Sequence, residues 1–90
     1  MSLAHAEDLE PVADARPLTA FAVGETARVA GFQTAVAKLE DALREIGFAE
    51  GDEVEIIRKG PYGEVLAVRV GRAQIGLRRD EAAAVLAVAS

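Results

Sequence analysis

The chain has 90 residues, 51% of them apolar, which is enough for one domain with a modest core. It has no cysteine, so disulfides, thiolate nucleophiles, zinc fingers and iron–sulfur ligation are excluded. The net charge is −5, and no apolar run approaches the roughly 18 residues that span a bilayer. We therefore expect a cytoplasmic protein without direct membrane insertion.

The negative charge is concentrated at the N-terminus. Four acidic residues and no Lys or Arg lie within the first fifteen positions, whereas residues 16–90 carry eleven acidic and ten basic side chains, a net charge of −1. The first sixteen residues also lack a sustained apolar period. We predict that residues 1–16 form a disordered acidic tail and that residues 17–90 form a single domain.

A helix is predicted over about residues 34–46. Its large apolar residues share one helical face by their spacing: Val36, Leu39, Leu43 and Ile46. Gly47 is expected to end this helix in a left-handed conformation that glycine adopts without penalty. Phe48 would then pack back on Leu43.

The pattern of the remaining residues predicts short strands separated by turns. Alternating or apolar runs predict five strands, at residues 26–32, 53–57, 65–70, 73–77 and 85–88. The Gly-Pro-Tyr-Gly stretch at 60–63 predicts a hairpin loop with positive φ allowed at both glycines. Asp80 is expected to cap a helical turn over about residues 80–84. Five short strands with one inserted helix indicate a small, strongly bent barrel of mainly β class.

Catalytic groups are scarce in this sequence. The only histidine, His5, lies in the tail, and no hydroxyl has a plausible base beside it. Glu64 and Val65 follow the loop where a phosphate-binding Walker loop requires Lys and Ser or Thr. The folded domain offers only carboxylates and water to a metal. We therefore expect no enzyme activity, no cofactor and no dedicated metal site.

Several motifs, taken in order, resemble the FeoA family. These are Leu18-Thr19, Arg28-Val29-Ala30-Gly31-Phe32, Leu43-Arg44-Glu45-Ile46-Gly47-Phe48, Gly60-Pro61-Tyr62-Gly63 and Leu77-Arg78-Arg79-Asp80-Glu81-Ala82. The resemblance spans about residues 17–89 and implies an SH3-like barrel. It also implies a cytoplasmic accessory of FeoB, the ferrous-iron transporter with a cytosolic GTPase domain. Many relatives have Asp-Pro after the loop, where this chain has Glu64 and Val65.

Nucleic acid is not an expected partner. Arg58, Lys59, Arg69 and Arg72 could contribute to a basic patch together with the arginines at 78 and 79. However, the barrel is nearly neutral, and three of its four aromatic residues are phenylalanines expected in the core.

With catalysis, metal binding and nucleic-acid binding set aside, we expect the domain to bind another protein. Five residues are candidate contacts: Pro61, Tyr62, Arg79, Arg78 and Arg44. Tyr62 lies at a loop tip, where it either anchors a partner or folds back over the barrel mouth. Arg78 is expected to pair with Glu45 or Glu53, and Arg79 to be free for a partner. Arg44 lies off the apolar helical face, so we expect its side chain to be exposed to solvent. It also matches the Leu-Arg motif of the FeoA family, which makes it a candidate contact residue.

The predicted function is a non-enzymatic accessory of ferrous-iron uptake that binds the cytosolic part of a FeoB-type transporter and supports or regulates transport. The alternative is a free-standing regulatory module similar to the SH3-like C-terminal domain of metal-dependent repressors. Stimulation of a partner's GTP hydrolysis would require Arg78 or Arg79 to reach the transferring phosphoryl group. A homo-oligomer is compatible with either function.

Overall fold

The computed structural model describes residues 14–90. In chain order the elements are β1 (Arg16–Pro17), a 3-10 turn (Leu18–Ala20), β2 (Thr26–Phe32), α1 (Ala37–Glu45), β3 (Glu53–Lys59), β4 (Val65–Val70), β5 (Ala73–Arg78), α2 (Arg79–Ala84) and β6 (Val85–Ala89). The five predicted strands are all present. The predicted tail lies almost entirely outside the described residues.

The strands form one antiparallel sheet in the order β1-β6-β2-β3-β4-β5. Strand β1 was not predicted, and it begins one residue before the expected start of the domain. Its two residues pair with β6, Arg16 with Ala87 and Pro17 with Leu86. A two-residue strand containing proline carries no periodic signal, so its pairing depends on β6 rather than on its own sequence.

The core fills the inside of this bent sheet. Among residues 14–90, fifteen apolar residues are buried: Leu18, Phe21, Ala27, Val29, Leu43, Phe48, Val54, Ile56, Leu66, Val68, Leu77, Ala82, Ala84, Val85 and Ala87. Helix α2 packs between the two sheet edges, contacting the 3-10 turn, β1 and β5. Phe32, predicted in the core, is only partly buried against it.

Helix α1 is shorter than predicted. It begins at Ala37 because Val36 is extended, with φ −105° and ψ 104°, and donates its N–H to the Thr34 hydroxyl at 3.1 Å. Val36 and Ile46 are 56% and 48% exposed, so the buried face is narrower than the spacing indicated. Leu43 is buried and Leu39 is partly buried, as predicted.

The end of α1 matches its prediction. Gly47 has φ +120° and donates its N–H to the Arg44 carbonyl at 3.2 Å, while Phe48 donates to the Leu43 carbonyl at 3.1 Å. These two bonds define a Schellman motif with Ile46 as C-cap. Leu43 and Phe48 are both 1% exposed. The glycine therefore fixes the angle at which the chain leaves the helix and enters the core.

The start of α2 corrects a prediction. Arg78, rather than Asp80, is the N-cap residue. The Glu81 carboxylate accepts the Arg78 backbone N–H at 2.7 Å. A glutamate three residues into a helix can satisfy the N-cap amide, so the helix begins before Asp80, which lies in its first turn.

Candidate protein-binding site

The loop between β3 and β4 is a tight hairpin. Gly60 donates its N–H to the Val65 carbonyl at 2.8 Å, and Gly63 donates to the Gly60 carbonyl at 3.0 Å. Gly63 uses the predicted freedom to adopt positive φ, with φ +72°, whereas Gly60 does not have positive φ. A Cβ at Gly60 would lie 3.1 Å from the carboxylate of the exposed Glu64, so a larger residue there would require that side chain to shift slightly.

The side chains of Glu64 and Arg79 hold this loop in place through hydrogen bonds to its backbone. The Glu64 carboxylate accepts the Tyr62 N–H at 3.0 Å. The Arg79 guanidinium donates to the Tyr62 carbonyl at 2.9 Å and to the Gly63 carbonyl at 3.2 Å. The Arg79 N–H also donates to the Glu64 carbonyl at 3.0 Å. Arg79 was expected to make no contacts within the domain, but its guanidinium holds the loop against the start of α2. Its contact with a partner remains a prediction.

Tyr62 is 82% exposed at the tip of this loop, next to the exposed Pro61. Its ring does not fold back to cover the barrel mouth, which was one of the two alternatives. The backbone on either side of the ring is held by hydrogen bonds, so presenting Tyr62 to a partner costs little further conformational entropy. Contact of Pro61 and Tyr62 with a partner remains a prediction.

Arg78 does not make the predicted ion pair. It is exposed and pairs with Val65 in the β4–β5 ladder, whereas Glu53 lies beside Arg28 near the opposite end of the same meander. Within residues 14–90 the ion pairs involve other residues, so neither Glu45 nor Glu53 pairs with Arg78. The antiparallel strands therefore place Arg78 and Glu53 at opposite ends of the meander, although the sequence alone was compatible with an ion pair between them.

Arg44 is held by several contacts rather than simply solvated. Its guanidinium makes a bidentate pair with Glu50 at 2.9 Å, contacts Glu40 at 3.0 Å and lies 4.6 Å from the centre of the Phe32 ring. Hydrogen bonding from Arg44 lowers the pKa of Glu50 to about 2, and the two carboxylates raise the pKa of Arg44. Arg44 thus ties α1 to β2 and to the turn before β3, separately from the Tyr62 loop.

A small cleft lies beside the Tyr62 loop, with a volume of about 220 Å³. Its lining residues are Thr19, Lys59, Tyr62, Gly63, Leu66 and Arg79. The sequence indicated Lys59 only as part of a possible basic patch and Thr19 only as part of a family motif, and it gave no reason to expect Leu66 beside them. The sequence does not predict that the 3-10 turn lies next to this loop, because their proximity depends on how the sheet bends.

Within the described residues, no three acidic or histidine side chains converge in a way that could hold a metal ion. No helix in this part of the chain is long and apolar enough to cross a membrane.

Comparison with known proteins decides the family. A family model described as the FeoA domain matches residues 16–88. The chain belongs to the FeoA family. FeoA from Stenotrophomonas maltophilia, solved in complex with zinc and described as a prokaryotic SH3-domain protein, is 36% identical, with a TM-score of 0.69 over 79% of this chain and 87% of that protein. A search of curated proteins found no match.

Other solved structures share the fold. A FeoA-like protein from Clostridium acetobutylicum is 24% identical, with a TM-score of 0.77 over 84% of this chain and 87% of that protein. A manganese-dependent transcriptional repressor is 22% identical, with a TM-score of 0.78 over 84% of this chain and 42% of the repressor. The predicted SH3-like fold is thus confirmed, and membership of FeoA links the chain to ferrous-iron transport.

Proposed function

We propose that this protein is a non-enzymatic cytoplasmic accessory of ferrous-iron uptake that binds the cytosolic part of a FeoB-type transporter. Family membership supports the connection with iron transport. The 36% identical FeoA from Stenotrophomonas maltophilia has been suggested to be a ferrous iron transport activating factor. Binding of a transporter domain is the step that the proposal adds.

The observation that carries the proposal is the braced Tyr62 loop. A tyrosine that is 82% exposed on a backbone held by Arg79 and Glu64 has the composition and rigidity of an interface anchor. Arg79 supports the loop from the side, and its two bonded carbonyls make it a poor candidate for an arginine that enters a partner's nucleotide site.

The direct test is binding of a purified FeoB-type cytosolic domain, measured by calorimetry. Tyr62→Ala should weaken binding by about 1 to 3 kcal/mol, roughly 5- to 150-fold in Kd, if Tyr62 is a hot spot. Its melting temperature should be unchanged because the ring is exposed. Val23→Ala is the matched control, since Val23 is also an exposed apolar residue but lies on the turn before β2.

The Arg79→Glu variant tests whether the hydrogen bonds from Arg79 to the Tyr62 loop contribute to binding. It removes two hydrogen bonds to the loop and should also weaken binding by about 1 to 3 kcal/mol, with a small change in thermal stability. If Tyr62→Ala and Arg79→Glu both bind as tightly as the parent protein, the contact lies elsewhere, and Arg44→Gln then tests the α1 surface. Capture of a DNA-binding protein in place of the transporter domain would instead favour the repressor-like regulatory module, for which the shared fold is the supporting observation.

A further inference from the structure

The cleft beside the Tyr62 loop combines two cations with apolar surface. Lys59 and Arg79 supply the charge, and Thr19, Gly63 and the buried Leu66 also line the cleft. We propose that this cleft binds a single carboxylate side chain, flanked by apolar residues, from an acidic segment of the protein partner. This inference rests on the proposed function only in taking the partner to be a protein.

Lys59 reaches the cleft because β3 contains a bulge. The register between β3 and β4 shifts between Ile56 and Arg58, so that Arg58 pairs with Ala67 and Lys59 with Leu66. Cross-strand partners share a face of the sheet, so Lys59 lies on the same face as the buried Leu66. Without the bulge, strict alternation from Ile56 would have put Arg58 on that face. The bulge therefore selects which cation enters the cleft.

The two cations retain charge that the described residues do not neutralise. Within residues 14–90, the Lys59 ammonium donates to the Thr19 carbonyl at 3.3 Å, and the Arg79 guanidinium donates only to loop carbonyls. Neither takes part in an ion pair within residues 14–90. An ammonium has three donors and a guanidinium five, so both groups keep N–H donors for a ligand. Glu64 is not among the lining residues, and its carboxylate is bonded to the Tyr62 N–H.

The dimensions and surface of the cleft favour a side chain over a larger anion. Its volume of about 220 Å³ is below the roughly 300 Å³ at which small-molecule pockets begin. Tyr62, with its aromatic ring, and Leu66 also line the cleft beside the cations. A glutamate or aspartate next to an aliphatic residue satisfies both, because its carboxylate accepts from Lys59 and Arg79 while its neighbour packs on the ring.

The test uses small probes and backbone amide NMR of the whole protein labelled with nitrogen-15. Three probes are titrated: the capped tripeptide leucyl-glutamyl-leucine, its glutamine analogue, and inorganic phosphate. The glutamyl peptide should give saturable shifts at Thr19, Gly63 and Leu66, and the glutamine analogue should bind about tenfold more weakly or not at all. Equal responses to both peptides, or saturation by phosphate without a response to the glutamyl peptide, would overturn the assignment.

Lys59→Gln should weaken binding of the glutamyl peptide by about 10-fold, whereas Lys59→Arg, which keeps a charged donor, should bind nearly as the parent does. Arg58→Gln is the matched control, because it makes the same change on the adjacent, exposed residue outside the cleft. Equal losses in Lys59→Gln and Arg58→Gln would indicate general charge attraction and overturn the site. The dispersion of the amide spectrum verifies folding in each sample.

The two proposals fail separately. If the transporter domain binds but the glutamyl peptide gives no response in the cleft, this inference is wrong and the proposed function stands. If the peptide occupies the cleft but the transporter domain does not bind, the proposed function is wrong and the carboxylate site stands.

Discussion

Replacement of Gly47 by valine perturbs one backbone position whose surroundings are well defined. Gly47 has φ +120°, a conformation that side chains with a branched Cβ strongly resist. A Cβ at this position would meet no heavy atom within 4 Å, so the added Cβ itself does not clash with the rest of the protein. The expected cost is therefore conformational, about 1 to 3 kcal/mol.

The protein cannot easily avoid this cost. If residue 47 moved to negative φ, the hydrogen bonds from residue 47 to Arg44 and from Phe48 to Leu43 would be lost. Phe48 would also leave the core, where it is 1% exposed. Burial of a phenylalanine side chain contributes about 1.5 to 3 kcal/mol, so strain at residue 47 is the less costly outcome.

The measurement is thermal unfolding of Gly47→Val. For a domain of this size, each kcal/mol lowers the melting temperature by about 4 to 8 °C, so a cost of about 1 to 3 kcal/mol should lower it by roughly 4 to 24 °C. Gly76→Val is the control, because Gly76 also has open space at its Cβ but lies in strand β5 without positive φ. A β-branched residue suits a strand, so this variant should melt at or above the parent temperature. If Gly47→Val melted like the parent, the account of this helix end would be wrong.

Three further predictions concern stability. Leu43→Ala should destabilise the fold by about 2 to 5 kcal/mol in chemical denaturation, because Leu43 is 1% exposed; a loss below about 0.5 kcal/mol would contradict its place in the core. The pKa of Glu50 is lowered to about 2 by Arg44, so stability contributed by this pair is present above the ordinary carboxyl pKa near 4.5 and is lost as the pH falls toward 2. Melting temperatures of parent and Glu50→Gln should therefore converge over that range, and a constant difference would refute the link. Deletion of residues 2–15, whose large apolar residues are only Leu3, Leu9 and Val12, should leave the melting temperature unchanged because so little apolar area cannot offset the entropy of ordering; a large decrease would show that this segment packs on the domain.

Local sequence signals determined the features that depend on neighbouring residues. The Schellman motif at Gly47 needs only a glycine after an apolar helical face and an apolar residue one position later. The hairpin at residues 60–63 likewise follows from glycine and proline spacing. The order of these motifs was also sufficient to indicate the FeoA family, which the family model confirms over residues 16–88.

The candidate site was only partly predictable. Tyr62 could be placed at a loop tip because turn chemistry is local, but its exposure required the structure. Arg79 was misjudged because its partners are carbonyls sixteen and seventeen residues away, and their approach depends on the β4–β5 pairing. Arg44 was misjudged for a similar reason, since its contact with the Phe32 ring, twelve residues earlier in the chain, depends on tertiary structure.

Tertiary structure alone decided which residues share a surface. The bulge in β3 places Lys59 rather than Arg58 beside Leu66, and the pairing of β1 with β6 positions the 3-10 turn that carries Thr19. Neither feature has a local signature, because a bulge is defined by the register of two strands and a two-residue strand exists only through its partner. Residue spacing along the chain specified the turns and helix ends of this protein, whereas the pairing of distant strands specified which charges meet at the cleft.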